Sequence, residues 1–254
     1  MTSSDEITIG PYVFTEHDAV RTLANVDGIV ASTLAGRTSR AAEAIADDLP
    51  HRLASAADLE ARLAAAWQGL RELSDALRAD GQLPTTAEGS VTQLSMSKGG
   101  VPKLPIESVE VGFRGVIGDV QRMRVHHGRP WQALCIYADE VIDMLHAEGH
   151  PIGRGSVGEN ITVAGLDWAQ VRPGVVLQVG DVLAHVQAYA EPCNTNAQFF
   201  LGGDFNRMNA KLGAVSRVYA TVLRPGSITT GDRVTLEPAL AGTIDQLTAQ
   251  PSPA

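Results

Sequence analysis

Cysteine is nearly missing from this chain: two in 254 residues, Cys135 and Cys193, too few for a disulfide framework. In a reducing compartment each is a free thiol. No stretch approaches the roughly 18 uninterrupted apolar residues of a spanning helix, so no membrane association is expected. The opening residues, MTSSDEITIG, carry no basic stretch followed by an apolar one. No secretory signal is therefore expected, and a cytoplasmic location is. Nothing resembles a Walker loop, a Rossmann glycine fingerprint, a zinc signature or an iron–sulfur cysteine set. A redox function would thus need electrons from a partner.

What is present begins with charge. The net charge of −9 argues against a general nucleic-acid binder. It is unevenly spread: residues 1–90 hold 14 acids and 7 arginines, residues 91–254 hold 15 acids and 13 bases. All three lysines, Lys98, Lys103 and Lys211, lie in the second part. Lys98, Lys103, Arg114, Arg122, Arg124 and Arg129, with His126 and His127, face only Glu107, Glu110 and Asp119 in that stretch. A local basic field on an acidic chain suits a small anion better than a duplex.

Periodicity divides the chain similarly. Leu59, Leu63, Ala66, Trp67, Leu70, Leu73 and Leu77 step by three and four, drawing a helix over about 56–79. Further helices are expected over about 38–47 and 16–34, the latter capped by Thr15. Residues 84–90 read as a linker. Beyond it the period falls to two, with strands expected at Val91–Ser95, Val109–Phe113, Ala133–Tyr137, Asn160–Val163, Val175–Val179, Val182–Tyr189, Val215–Leu223 and Arg233–Glu237. One helix, Asp139–Glu148, interrupts them. The expected fold is mainly β: a barrel over 89–240 with one or more inserted helices, a small all-α region over 1–88, and a flexible tail over 241–254.

Cys193 sits in Ala190-Glu191-Pro192-Cys193-Asn194-Thr195-Asn196, where Pro192 forbids regular ladder pairing and places the thiol in a loop at a barrel rim. Asn194, Thr195 and Asn196 can donate to a thiolate or an oxyanion; the alternative is a small apolar filler. Cys135, within the apolar run Ala133–Tyr137, reads as core. Lys98 and Lys103 flank Gly99-Gly100, a loop able to cradle a phosphate or carboxylate or simply to turn in solvent. Asp119, Arg122, Arg124, His126 and His127 form a polar group suited to anion binding or proton donation, or to a charged loop. Glu159 and Asn160 follow Gly158 and either organise that turn or contact a ligand.

In order, Ser97–Lys103, Gly115–Asp119, His126-His127-Gly128, Gly155–Asp167, Gly180-Asp181, Glu191-Pro192-Cys193 and Gly231-Asp232 resemble the MOSC family, named for the C-terminal domain of molybdenum-cofactor sulfurases. The resemblance covers about 150 residues; Arg129 departs from it, and residues 1–88 fall outside it. It implies a β-barrel domain that binds the molybdenum cofactor (Mo-molybdopterin), with Cys193 as metal ligand and catalytic thiolate. Candidate pocket residues are Lys98, Lys103, Asp119, Arg122, His127, Glu159, Asn160, Asn194 and Asn196, with His126 as a catalytic candidate. Three functions follow. The first is reduction of N-hydroxylated compounds at molybdenum, re-reduced by a separate flavin or iron–sulfur reductase. The second is metal-independent sulfur transfer or carbon–sulfur cleavage through Cys193. The third is delivery of the cofactor to client enzymes. No pyridoxal-phosphate domain is present to mobilise sulfur, so a full-length cofactor sulfurase is not expected.

Overall fold

The computed structural model describes residues 6–120 and 129–248. Arg122, Arg124, His126 and His127 lie outside them. The described chain opens on a hairpin, β1 (Glu6–Ile9) and β2 (Tyr12–Thr15), absent from the all-helical expectation. Its signal is a period of two about Gly10-Pro11: Tyr12 and Phe14 are buried and Val13 between them is not. Thr15 caps α1 (Glu16–Leu23) reciprocally, its hydroxyl accepting from Asp18 N while the Asp18 carboxylate accepts from Thr15 N. The single helix expected over 16–34 breaks at Ala24-Asn25, and α2 (Val26–Leu34) follows. Next come α3 (Arg40–Ser55), longer than expected, and α4 (Leu59–Ala79), capped by Asp58. In α4 the expected stripe is buried from Leu63 through Ala66, Trp67, Leu70 and Leu73 to Leu77, while Leu59 at its start is half-buried.

Then come β3 (Ala87–Met96), β4 (Leu104–Ile106), β5 (Ser108–Gly112), β6 (Gly115–Val116), β7 (Leu134–Ala138), α5 (Asp139–Ala147) and β8 (Ile161–Ala164). The rest are β9 (Val176–Val179), β10 (Val182–Tyr189), β11 (Val218–Arg224), β12 (Gly226–Thr229), β13 (Arg233–Leu236) and α6 (Ile244–Thr248). Strands run in the order β13-β9-β10-β11-β7-β8-β3, and β3 pairs back onto β13. Seven strands thus close a barrel and leave no unpaired edge in the ring. The β7–β8 pair alone in this ring is parallel, because α5 carries the chain across between them. A small sheet of β12, β5 and β6 lies outside. Gly115 is required where it starts β6: at φ +102° its missing Cβ would stand 2.2 Å from the Ala133 carbonyl oxygen.

Leu134, Ile136, Leu177, Val182, Val218 and Val222 fill the barrel. A second buried cluster joins the N-terminal region to the barrel's outside: Tyr12, Phe14, Leu63 and Trp67 pack with Cys135 and Tyr219. The Tyr12 hydroxyl donates to Val222 O at 2.7 Å, and Arg78 Nε pairs with Glu237 Oε2 at 3.0 Å. Residues before and after the linker therefore share a core. Part of the stretch expected as a tail is also packed: in α6, Ile244 is buried and its N–H donates to Asp75 Oδ2 at 3.0 Å. Among the described residues no helix is long and apolar enough to cross a membrane.

Candidate functional site

Alternation on β7 and β11 decides what faces outward. Leu134 and Ile136 point into the barrel, so Cys135 points out, as does Tyr219, its direct partner in register. Arg217 lies two residues before Tyr219 and shares its face. Over these residues fold the loop after β3 and the loop after β10, enclosing a cavity of about 670 Å³. That is the size of a small-molecule site. Cys135 is buried, as its apolar context predicts, yet it belongs to the cavity wall rather than to the barrel interior.

Cys193 stands half-buried at the rim, ahead of a tight helical turn, Asn194–Phe199, that begins with Asn196 N donating to the Cys193 carbonyl at 2.9 Å. The Thr195 hydroxyl donates to Cys193 Sγ at 3.2 Å. Asn196 is buried in the wall, and neither its Oδ1 nor Gln132 Oε1 has a donor among the described residues. Buried acceptors without donors mark a place where a ligand supplies them.

Among the described residues, charge in the wall is of one sign: Lys103 and Arg217, both buried, line it, and no carboxylate does. Lys103 Nζ pairs with Asp119 Oδ2, which also accepts from Asn160 Nδ2 at 3.0 Å, while Asp119 Oδ1 accepts from Ser97 N at 2.8 Å. Asp119 therefore stands behind the wall and orients Lys103, Asn160 and the glycine loop. Arg217 donates to Val157 O and reaches Glu191 O at 3.4 Å. Burial works against its charge, but Cys135, Tyr219, Glu159 and Tyr137 around it hold its pKa above the usual value. Burial pushes the Cys135 thiol up, partly offset by Arg217.

Of the residues expected at a site, Lys103, Asn160, Cys193 and Asn196 line this cavity. Asn194 is exposed and lines a neighbouring one. Lys98 is exposed, reaches Gly118 O at 3.4 Å, and is not part of the wall. Glu159 is fully buried away from the wall: it accepts from Gly155 N, and burial raises its pKa. Its place is inside the turn it organises. Arg122, His126 and His127 lie outside the described residues. Arg217, Gln132 and Tyr219 were not singled out from sequence. For Arg217 the signal was there, as the one charge within the apolar run Val215–Leu223.

The family model described as MOSC domain matches residues 123–235, a stretch within the barrel region. MOSC domains are associated with the molybdenum cofactor. The uncharacterized protein YflK of Bacillus subtilis strain 168 is 29% identical over 139 residues, 54% of this chain and 62% of YflK. The match thus spans less than two thirds of that relative's length. A crystal structure described as a hypothetical protein shares the fold at a TM-score of 0.50 and 22% identity, over 65% of this chain and 75% of that one. YiiM of Escherichia coli aligns at a TM-score of 0.47 and 20% identity, over 64% of this chain and 76% of YiiM.

Proposed function

We propose that this protein binds the molybdenum cofactor in the 670 Å³ cavity, with Cys193 as the protein's ligand to the metal, and reduces N-hydroxylated compounds. The observation that carries this reading is the wall as its described residues build it: a rim thiol, two buried cations, two amide oxygens without a donor among those residues, and no carboxylate. A phosphate-bearing pterin is an anion with ring N–H donors, and such a wall is complementary to it. Among the described residues no cluster of three or more His, Cys, Asp or Glu could hold a metal ion. A metal at Cys193 would thus draw its other ligands from the cofactor, and a soft thiolate suits it.

Lys103 and Arg217 would hold the phosphate end, and Gln132 and Asn196 would accept from the pterin. Thr195 keeps the sulfur in place, and metal coordination would take the thiol proton. When bound, the cofactor supplies a two-electron centre for removing an oxygen atom. The balance is one hydroxylamine, two electrons and two protons to one amine and one water, with electrons from a separate flavin or iron–sulfur reductase. Full-length protein from a cofactor-competent host should contain about one molybdenum and one pterin per chain, and Cys193→Ala should lose metal and activity. Protein without molybdenum, together with a Cys193→Ala variant that behaves like wild type, sinks the reading.

One observation favours a second reading, sulfur transfer: Cys135 lines the same cavity as Cys193. The Cys193 thiolate would attack the sulfane sulfur of a persulfide donor, becoming a persulfide and releasing the donor thiolate. Intact mass after exposure to such a donor should rise by one sulfur in wild type and stay unchanged in Cys193→Ser. Absence of the adduct with wild type removes this reading.

A further inference from the structure

A second cavity, of about 620 Å³, abuts the first, and Cys193, Gln132 and Tyr219 belong to both walls. Its far wall comes from residues outside the matched domain: Arg21 of α1 and Gly28, Ile29 and Ser32 of α2. Arg129, Trp131 and the turn at Lys211 close the near side. In this wall Arg21 and Lys211 stand beside Glu191, and Arg129 lies close to buried Asp18. Trp131 is 4% exposed, and its Nε1–H has no acceptor among the described residues. Such a donor is normally satisfied. Ile29, Ala188, Trp131 and Tyr219 add an apolar surface beside these donors.

We infer that this second cavity is a recognition subsite for a small amphipathic acid, its apolar body against Ile29 and Trp131 and its carboxylate or phosphate held by Arg21 and Lys211. The inference rests on the proposed function in one respect, that chemistry takes place at Cys193. From there the geometry assigns the N-terminal helices a task. They select which N-hydroxylated compound reaches the thiol, and the compound they select carries an acidic group. Arg129 has Asp18 beside it; Arg21, Lys211 and an indole N–H with no acceptor among the described residues are what an anionic ligand answers.

The test uses the full chain without cofactor, titrated calorimetrically with benzoate, phenyl phosphate and benzamide. At least one acid should bind ten-fold or more tighter than the amide, and its affinity should fall with added salt. The tighter of the two acids distinguishes carboxylate from phosphate. Arg21→Gln and Lys211→Gln, both at exposed positions, should each weaken the acid about five-fold and leave benzamide unchanged. Thermal melts confirm that both variants fold. Equal binding of acid and amide, or acid binding unmoved by both substitutions, overturns the inference. The readout needs neither molybdenum nor turnover. Failure to load metal would therefore strike the proposed function alone, and equal binding in a reductase-active protein would strike the subsite alone.

Discussion

Two faces of one wall carry opposite chemistry. On the inner face of β7 and β11, Leu134, Ile136, Val218 and Ala220 are fully buried aliphatic groups. On the outer face of the same sheet stand Cys135, Tyr219 and, just before β11, Arg217. The inner face answers only to volume, because close packing is all that aliphatic groups offer. The outer face holds ionisable groups out of water, which costs stability and is sustained where a ligand or a charge partner answers it. A period of two therefore separates what keeps this barrel folded from what lets it act.

The largest effect expected is at the rim. Cys193→Ala should lower N–O reduction about a thousand-fold, roughly 4 kcal/mol of transition-state stabilisation, and leave the melting temperature nearly unchanged. Ile136→Ala, one residue from Cys135 but facing inward, should lower stability by roughly 3 kcal/mol and leave turnover per folded molecule intact. Urea unfolding beside a reductase assay checks both. A Cys193 variant that melts early, or an Ile136 variant that folds without activity, would break the comparison.

Lys103→Met probes the boundary between the faces. The side chains of Lys103 and Asp119 are 9% and 2% exposed, so the substitution strands a buried carboxylate. Removing one partner of such a pair costs about 3 kcal/mol. Lys103→Met with Asp119→Asn should recover part of that stability, because the buried charge is gone, while an amide offers one acceptor oxygen where the carboxylate offered one each to Ser97 N and Asn160 Nδ2. Molybdenum content should stay low in the double variant, since the cation is gone. Recovery of both would show that Lys103 serves packing only.

Much of this division was legible in advance. The expected strand Val182–Tyr189 is β10, the α4 stripe is as drawn, and Cys193 falls in a rim loop. Strands β4 and β6 were not legible: they have three and two residues, one containing Pro105, too short for a period to register. Barrel closure was expected, but not its seam, which rests on β3 meeting β13 with Ser90 opposite Arg233, a pairing no local pattern encodes. At the site, charged and amide-bearing loops announced themselves. Gln132 did not, since an isolated polar residue beside an apolar run looks like surface until the strand's facing is known, and the lone charge of Arg217 in its apolar run shows its burial but not which face it takes.

The outer face also has a dry half. His185 on β10 points at α4, where its Nε2 meets Ser74 Oγ at 2.8 Å and its Nδ1 accepts from Gln187 Nε2 at 2.7 Å. Burial, reinforced by Arg78 and Arg71, pushes its pKa down to about 3. The unfolded chain takes up a proton near pH 6.5 that the folded chain refuses. Stability from this group is thus complete above about pH 6.5 and falls as pH drops toward 3, by about 2 kcal/mol at pH 5. His185→Gln should flatten that slope by one proton in urea unfolding at stepped pH. An unchanged slope would mean that α4 lets water in, as the cavity side does.

The smallest effect sharpens the contrast through two glycines. Gly115 and Gly100 both hold positive φ, +102° and +92°. A Cβ at Gly115 meets the Ala133 backbone at 2.2 Å, whereas at Gly100 nothing lies within 4 Å. Gly100→Ala, in the cavity loop, should therefore cost only the conformational term, about 1 kcal/mol. Gly115→Ala must also displace a strand and should be several-fold worse by thermal melt. Equal losses would mean that the cavity loop is as tightly built as the barrel, and that its open space is not held ready for a ligand.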